Sequence, residues 1–114
     1  MDSLFNKFKV AFNGLLIALK DKSILLQLII GIFVLLFGVL YKFTNVEWLW
    51  IINCIFIVIL SEMFNTCIEY LCNIVDSKYN QKIKVVKDLS ASCVLLASIY
   101  SIVIGCMILK GVLR

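Results

Sequence analysis

Glu62, Asn65, Glu69, Asn73 and Asp76 recur at three- and four-residue intervals in a stretch with no Gly or Pro to interrupt a helix. At roughly 100° per residue they fall within an arc of about 80°, one polar seam on a helix whose other faces are apolar. The seam runs into a basic loop, "DSKYNQKIKVVKD" (Asp76 to Asp88), which holds Tyr79, Lys82 and Lys87. Any single Glu here could be the wetted side of a helix leaving a membrane, but five polar residues in register favour a shared interior. Carboxylates that keep water and share a ligand's phosphate oxygens make the usual Mg²⁺ site. Phosphoryl transfer needs such a metal, a cation on the moving phosphate and a base near the incoming hydroxyl. The chain has no His, so Ser–His and Cys–His catalysis is excluded. It also lacks the GxxxxGK[ST] phosphate loop and the soluble-kinase motifs, so a nucleotide needs another cradle.

The elements that must position these groups are membrane helices. Of 114 residues 63% are apolar and 16% charged, and the mean hydropathy is +1.08. A soluble domain of this size could not hide so much apolar surface. "ILLQLIIGIFVLLFGVLY" (Ile24 to Tyr41) has one polar side chain, Gln27, and "LSASCVLLASIYSIVIGCMIL" (Leu89 to Leu109) has no charge. "WLWIINCIFIVI" (Trp48 to Ile59) feeds directly into the seam. Each segment meets the requirement of about 20 mostly apolar residues, and lipid offers backbone amides no partner outside a helix. The expected fold is an all-α membrane protein, one domain over 1–114, with spans near 23–41, 47–75 and 88–110.

An N-terminal amphipathic interfacial helix is expected over about 2–20. Phe8, Phe12, Leu15 and Leu19 recur at helical spacing with Lys7, Lys9 and Lys20 between them. The segment lacks the compact apolar core and small-residue cleavage site of a signal peptide. Lys7, Lys9, Lys20 and Lys22 precede the first span, and Lys78, Lys82, Lys84 and Lys87 separate the second from the third; only Lys42, Lys110 and Arg114 lie at the other ends. This asymmetry places the N-terminus and the second loop in the cytoplasm. The net charge of +4 needs no nucleic acid, because anionic lipid or a phosphate ligand accounts for it. Five cysteines, Cys54, Cys67, Cys72, Cys93 and Cys106, form no CxxC pair and have no His beside them to bind zinc. They read as small packing residues.

"ExxNTxIE" (Glu62 to Glu69) followed by "KDxxAxxVL" from Lys87 and Asp88 resembles the prokaryotic diacylglycerol kinase family, which includes the undecaprenol kinases. "FKVAFNGLLIAL" (Phe8 to Leu19) is similar to that family's surface helix, so the resemblance covers nearly the whole chain. It implies a homotrimer of three-span protomers in the bacterial cytoplasmic membrane. Active sites form between protomers at the cytoplasmic boundary, where ATP phosphorylates a lipid alcohol. Carried over by position, Glu62 becomes the general base, with Asn65 beside it supporting the metal shell. Glu69 holds Mg²⁺, Lys87 and Asp88 meet the nucleotide phosphates, and Tyr79 meets the adenine. The "NTxIE" form and the Lys- and Ile-rich character point to undecaprenol or a similar polyprenol over diacylglycerol.

Two positions depart from the family pattern. Asn73 stands where the family has Asp, and Asp76 lies on the same seam three residues on. The Glu expected after the surface helix is missing, and Asp21 is the nearest substitute as second metal ligand. The basic residue just beyond it has no match in "SILLQ". Two other readings fit these residues: a family member that binds lipid or nucleotide without turnover, and a small pore-forming, holin-like protein. The pore does not account for Lys87 and Asp88 following the seam. Ala97, Ser101 and Gly105, like Gly31 and Gly38, would let helices approach closely, within a protomer or between copies.

Overall fold

Three of the four helices start on a residue whose side chain accepts from the first free amides. Asp21 Oδ1 accepts from the backbone amides of Ser23 and Ile24, Thr44 Oγ1 from Glu47, and Asn80 Oδ1 from Lys82 and Ile83. The Glu47 carboxylate returns to the Thr44 amide and completes a capping box. In a computed structural model that describes residues 2–76 and 78–113, the helices are α1 (Asp2–Ala18), α2 (Lys22–Leu40), α3 (Asn45–Val75) and α4 (Gln81–Val112). The protein is all-helical among the described residues, and α2, α3 and α4 are each long and apolar enough to cross a membrane.

The last helix starts earlier than expected. The sequence alone predicts a polar loop over 76–88 that ends at Lys87 and Asp88, where the third helix is expected to start. The structure instead begins α4 at Gln81. The Asn80 cap and the absence of Gly or Pro from "QKIKVVKD" supply the reason. Lys82 and Lys84 therefore stand on the same continuous helix as Lys87 and Asp88 rather than on a loop.

α2 and α3 form an antiparallel pair with a tight turn. Phe43 N–H donates to Gly38 O and Lys42 N–H to Val39 O, with Lys42 at a φ of 53°. This is the Schellman ending, with Lys in the left-handed position that glycine usually takes. Gly38 is required by close approach: a Cβ there would lie 2.6 Å from Trp48 Cη2 and 2.7 Å from Phe43. Phe37, Tyr41, Phe43 and Trp48 stack around this turn. Seven residues back along α2, Gly31 faces Ile55, seven residues on along α3, and the register continues down to Asp21 beside Thr66.

α3 packs most extensively against α4 and next against α2, whereas α2 and α4 scarcely meet. The spans thus form a row with α3 in the middle, and the molecule measures 53 × 43 × 20 Å. Its buried apolar set is small, Ile24, Phe43, Ile51, Cys54, Val58, Cys72 and Ala97, and most large apolar side chains are exposed. In water such a surface would be untenable; in lipid it carries no penalty. α1 exposes Phe5, Phe8, Phe12 and Leu15, as a helix seated in the interface requires.

Helix lengths locate the polar end. At about 1.5 Å per residue, α2 is about 28 Å long, close to the roughly 30 Å hydrocarbon thickness. α3 and α4, with 31 and 32 residues, exceed that thickness by about 17 Å each. The Asp21–Thr66 contact fixes which end protrudes, because α3 continues from Thr66 to Val75 past the start of α2. The first turns of α4 run beside that extension. Glu62 lies one turn closer than Thr66 to the apolar middle of α3.

Candidate active site at the membrane boundary

The seam faces α4. Ser90 Oγ donates to Asn65 Oδ1 at 2.7 Å, and Lys87 Nζ donates to Asn73 Oδ1 at 3.0 Å. Asn65 also donates through Nδ2 to Glu69 Oε1 at 2.9 Å, one helical turn away. Glu62 is only 8% exposed, a rare state for a carboxylate without a bound cation or ion pair. Asp21 and Glu69 both lie within electrostatic reach of it. Glu69 is exposed, and its Oε2 takes no hydrogen bond among the described residues.

Asp21 comes to the seam from the α1–α2 junction. Its Oδ2 accepts from Thr66 Oγ1 at 3.1 Å while its Oδ1 caps α2. Thr66 and Glu69 are three residues apart on α3, so Asp21 sits about one turn from Glu69. Among the described residues no group of three or more His, Cys, Asp or Glu side chains forms a ready-made metal cage. The donors present are hard carboxylate oxygens that leave most coordination positions open. That set fits a Mg²⁺ ion that retains water and completes its shell with phosphate oxygens.

Beyond Glu69 the seam opens into a polar cleft of about 340 Å³ between the end of α3 and the start of α4. Asn73, Asp76, Tyr79, Lys84, Lys87 and Asp88 line it. Five of these were picked out in the sequence, and the fold brings them to one cleft within a single chain. Asp76 is turned to a local task, accepting from the Lys78 amide at 2.9 Å and from Asn80 Nδ2. Tyr79 is exposed and donates to Gln81. Asp88 pairs with Lys84 at 2.7 Å. Asp88 is thus held as the partner of Lys84, and Lys78, Lys84 and Lys87 are the cations that line the cleft.

α1 and α3 enclose an apolar groove of about 300 Å³ lined by Gly14, Leu15, Ala18, Met63, Thr66 and Cys67 among others. It reaches the seam through Thr66. An apolar groove and a cationic cleft therefore meet at a row of carboxylates and amides. Sequence reasoning missed Thr66, Lys84 and Ser90. Thr66 and Lys84 stood inside the segments that were read, but Ser90 resembled any small residue of an apolar span.

A search of curated proteins returned no significant match. The family profile described as prokaryotic diacylglycerol kinase matches residues 9–109, which takes in most of α1, all of α2 and α3, and α4 nearly to its end. With the seam, the cleft and the groove all inside that interval, the chain belongs to the prokaryotic diacylglycerol kinase family, whose members are membrane lipid kinases.

Proposed function

We propose that the protein moves the γ-phosphoryl group of ATP to the hydroxyl of a lipid alcohol, undecaprenol or a similar polyprenol in preference to diacylglycerol. The reaction takes place at the cytoplasmic face of the bacterial plasma membrane, with the N-terminus on the same side. The observation that carries this reading is Glu62, a buried carboxylate. It lies close to the α1–α3 groove, on the seam that leads to the lysine-lined cleft.

In this reading the lipid tail lies along the apolar groove and its hydroxyl reaches Glu62. Glu62 accepts the hydroxyl proton as the lipid oxygen bonds to the γ-phosphorus. The bond from that phosphorus to the bridging oxygen breaks, and the bonding pair leaves with ADP. Lys87 and Lys84 offset the phosphate charge, and Tyr79 borders the adenine. Glu69 and Asp21 would hold Mg²⁺, which when bound would supply positive charge against the phosphates. The open row of helices favours an oligomer in which neighbouring copies cover the exposed faces of α2 and α4, and the family resemblance makes that oligomer a homotrimer.

The test is to purify the protein in detergent and supply γ-labelled ATP with undecaprenol or with diacylglycerol. Label in undecaprenyl phosphate, and little in phosphatidic acid, is expected. Label in neither lipid beside an active family enzyme would overturn the catalytic reading. Nucleotide-dependent thermal stabilisation without transfer would favour a chain that binds and does not turn over, the reading that Asn73 in place of Asp supports.

A further inference from the structure

The serines of α4 differ in where they send their one hydroxyl proton. Ser92 Oγ donates to Leu89 O at 2.6 Å, within its own helix, the common habit of a helical serine. Ser90 is 6% exposed and instead donates across the helix interface to Asn65 Oδ1 at 2.7 Å. Asn65 in turn donates to Glu69 Oε1 at 2.9 Å. The polarity of this chain is fixed from its far end. An ionised carboxylate only accepts, so the amide nitrogen must face Glu69, the amide oxygen must face α4, and Ser90 must donate.

We infer that Ser90 is a positioning residue that orients Asn65 and, through it, holds one oxygen of Glu69 so that the other is presented to the metal-bound nucleotide. Ser90 touches neither substrate nor metal. Its role rests on the kinase reading only for its effect on turnover, since the orientation of Asn65 is a property of the folded chain. An exposed glutamate has several rotamers of similar energy, and each binding event must first select one. A buried donor on the neighbouring helix removes part of that cost. It also ties the metal-facing side of α3 to the start of α4, the helix that carries Lys84 and Lys87.

Two measurements on the full-length protein in detergent test this: side-chain amide NMR of Asn65, and steady-state phosphoryl transfer with varied Mg²⁺. Ser90→Ala is expected to shift the Asn65 NH₂ resonances and speed their exchange with solvent. It should raise the Mg²⁺ concentration at half-maximal rate about fivefold, the worth of one hydrogen bond, with the KM for lipid unchanged. Ser90→Thr keeps the hydroxyl and should return both readouts toward the parent, and Ser92→Ala should alter neither. Once Asn65 is Ala, adding Ser90→Ala should have no further effect on the Mg²⁺ requirement. An Asn65 spectrum indifferent to Ser90→Ala, or equal losses in the lipid and Mg²⁺ parameters, would overturn the inference. A parent chain with no transfer activity would overturn the kinase reading instead, and the amide spectrum would still decide whether Ser90 sets Asn65.

Discussion

Asn73 stands where the family resemblance implies Asp, and the structure gives it a partner. Its Oδ1 accepts from Lys87 Nζ at 3.0 Å, so a neutral acceptor holds the lysine while leaving its charge available to phosphate. Asn73→Asp would turn the contact into an ion pair at an exposed position, worth at most about 1 kcal/mol. We expect it to compete with the nucleotide and raise the KM for ATP about two- to fivefold, as read by steady-state kinetics. A large gain in kcat would show the opposite, that a carboxylate at 73 is what the site lacks. The polar seam itself was legible in the sequence because helical periodicity makes register visible wherever polar residues interrupt an apolar run. Ser90 was not legible, since a serine among Leu, Ala and Cys carries no periodic signal. Its significance depends on which residue of another helix it meets. Asp88 was readable as part of the site but not as the partner of Lys84, a pairing visible only once α4 is known to start at Gln81.

Asp21 caps α2, and the proposed function gives it a second duty as a metal ligand; substitutions can separate the two. Asn caps a helix about as well as Asp, whereas Ala costs about 1 kcal/mol. Asp21→Asn should therefore keep the melting temperature near that of the parent and raise the Mg²⁺ requirement, while Asp21→Ala should lower both stability and activity. A Mg²⁺ requirement of Asp21→Asn equal to that of the parent would remove Asp21 from the metal site. At the other end of α2, Gly38 admits the rings of Phe43 and Trp48. Gly38→Ala is expected to cost about 1–3 kcal/mol through overpacking, seen as a lower melting temperature in detergent. The existence of the four helices followed from apolar runs and from helical spacing. The start of α4 did not, because lysine-rich stretches read as loop until a cap such as Asn80 is weighed against them. The α2–α3 turn was not foreseen either, since Lys42 takes a left-handed conformation that sequence assigns to glycine.

Taken whole, the protomer is a row of three spans 20 Å thick, with α2 and α4 on either side of a central helix that carries the polar seam. Such a row leaves both flanking helices without protein neighbours on one side. A homotrimer would cover them and could bring another copy's residues to each seam. Light scattering in detergent, corrected for bound detergent, should give three times the mass of 13.0 kDa. A monodisperse 13.0 kDa particle that retains transfer activity would show that one chain suffices. Hydropathy alone makes the three spans legible. The row arrangement is not legible, because it depends on which small residues, Gly31 and Gly38 on α2 or Ala97 on α4, face a partner helix.

In the proposed function the buried Glu62 takes the proton from a lipid hydroxyl during phosphoryl transfer. The most direct measurement is single-turnover transfer from γ-labelled ATP to undecaprenol by the parent and by Glu62→Gln, with nucleotide-dependent thermal stabilisation recorded for both. Gln keeps the shape and removes the base, so transfer is expected to fall by about 10²–10⁴-fold while stabilisation by nucleotide persists. Transfer by Glu62→Gln at a rate near that of the parent would contradict the account.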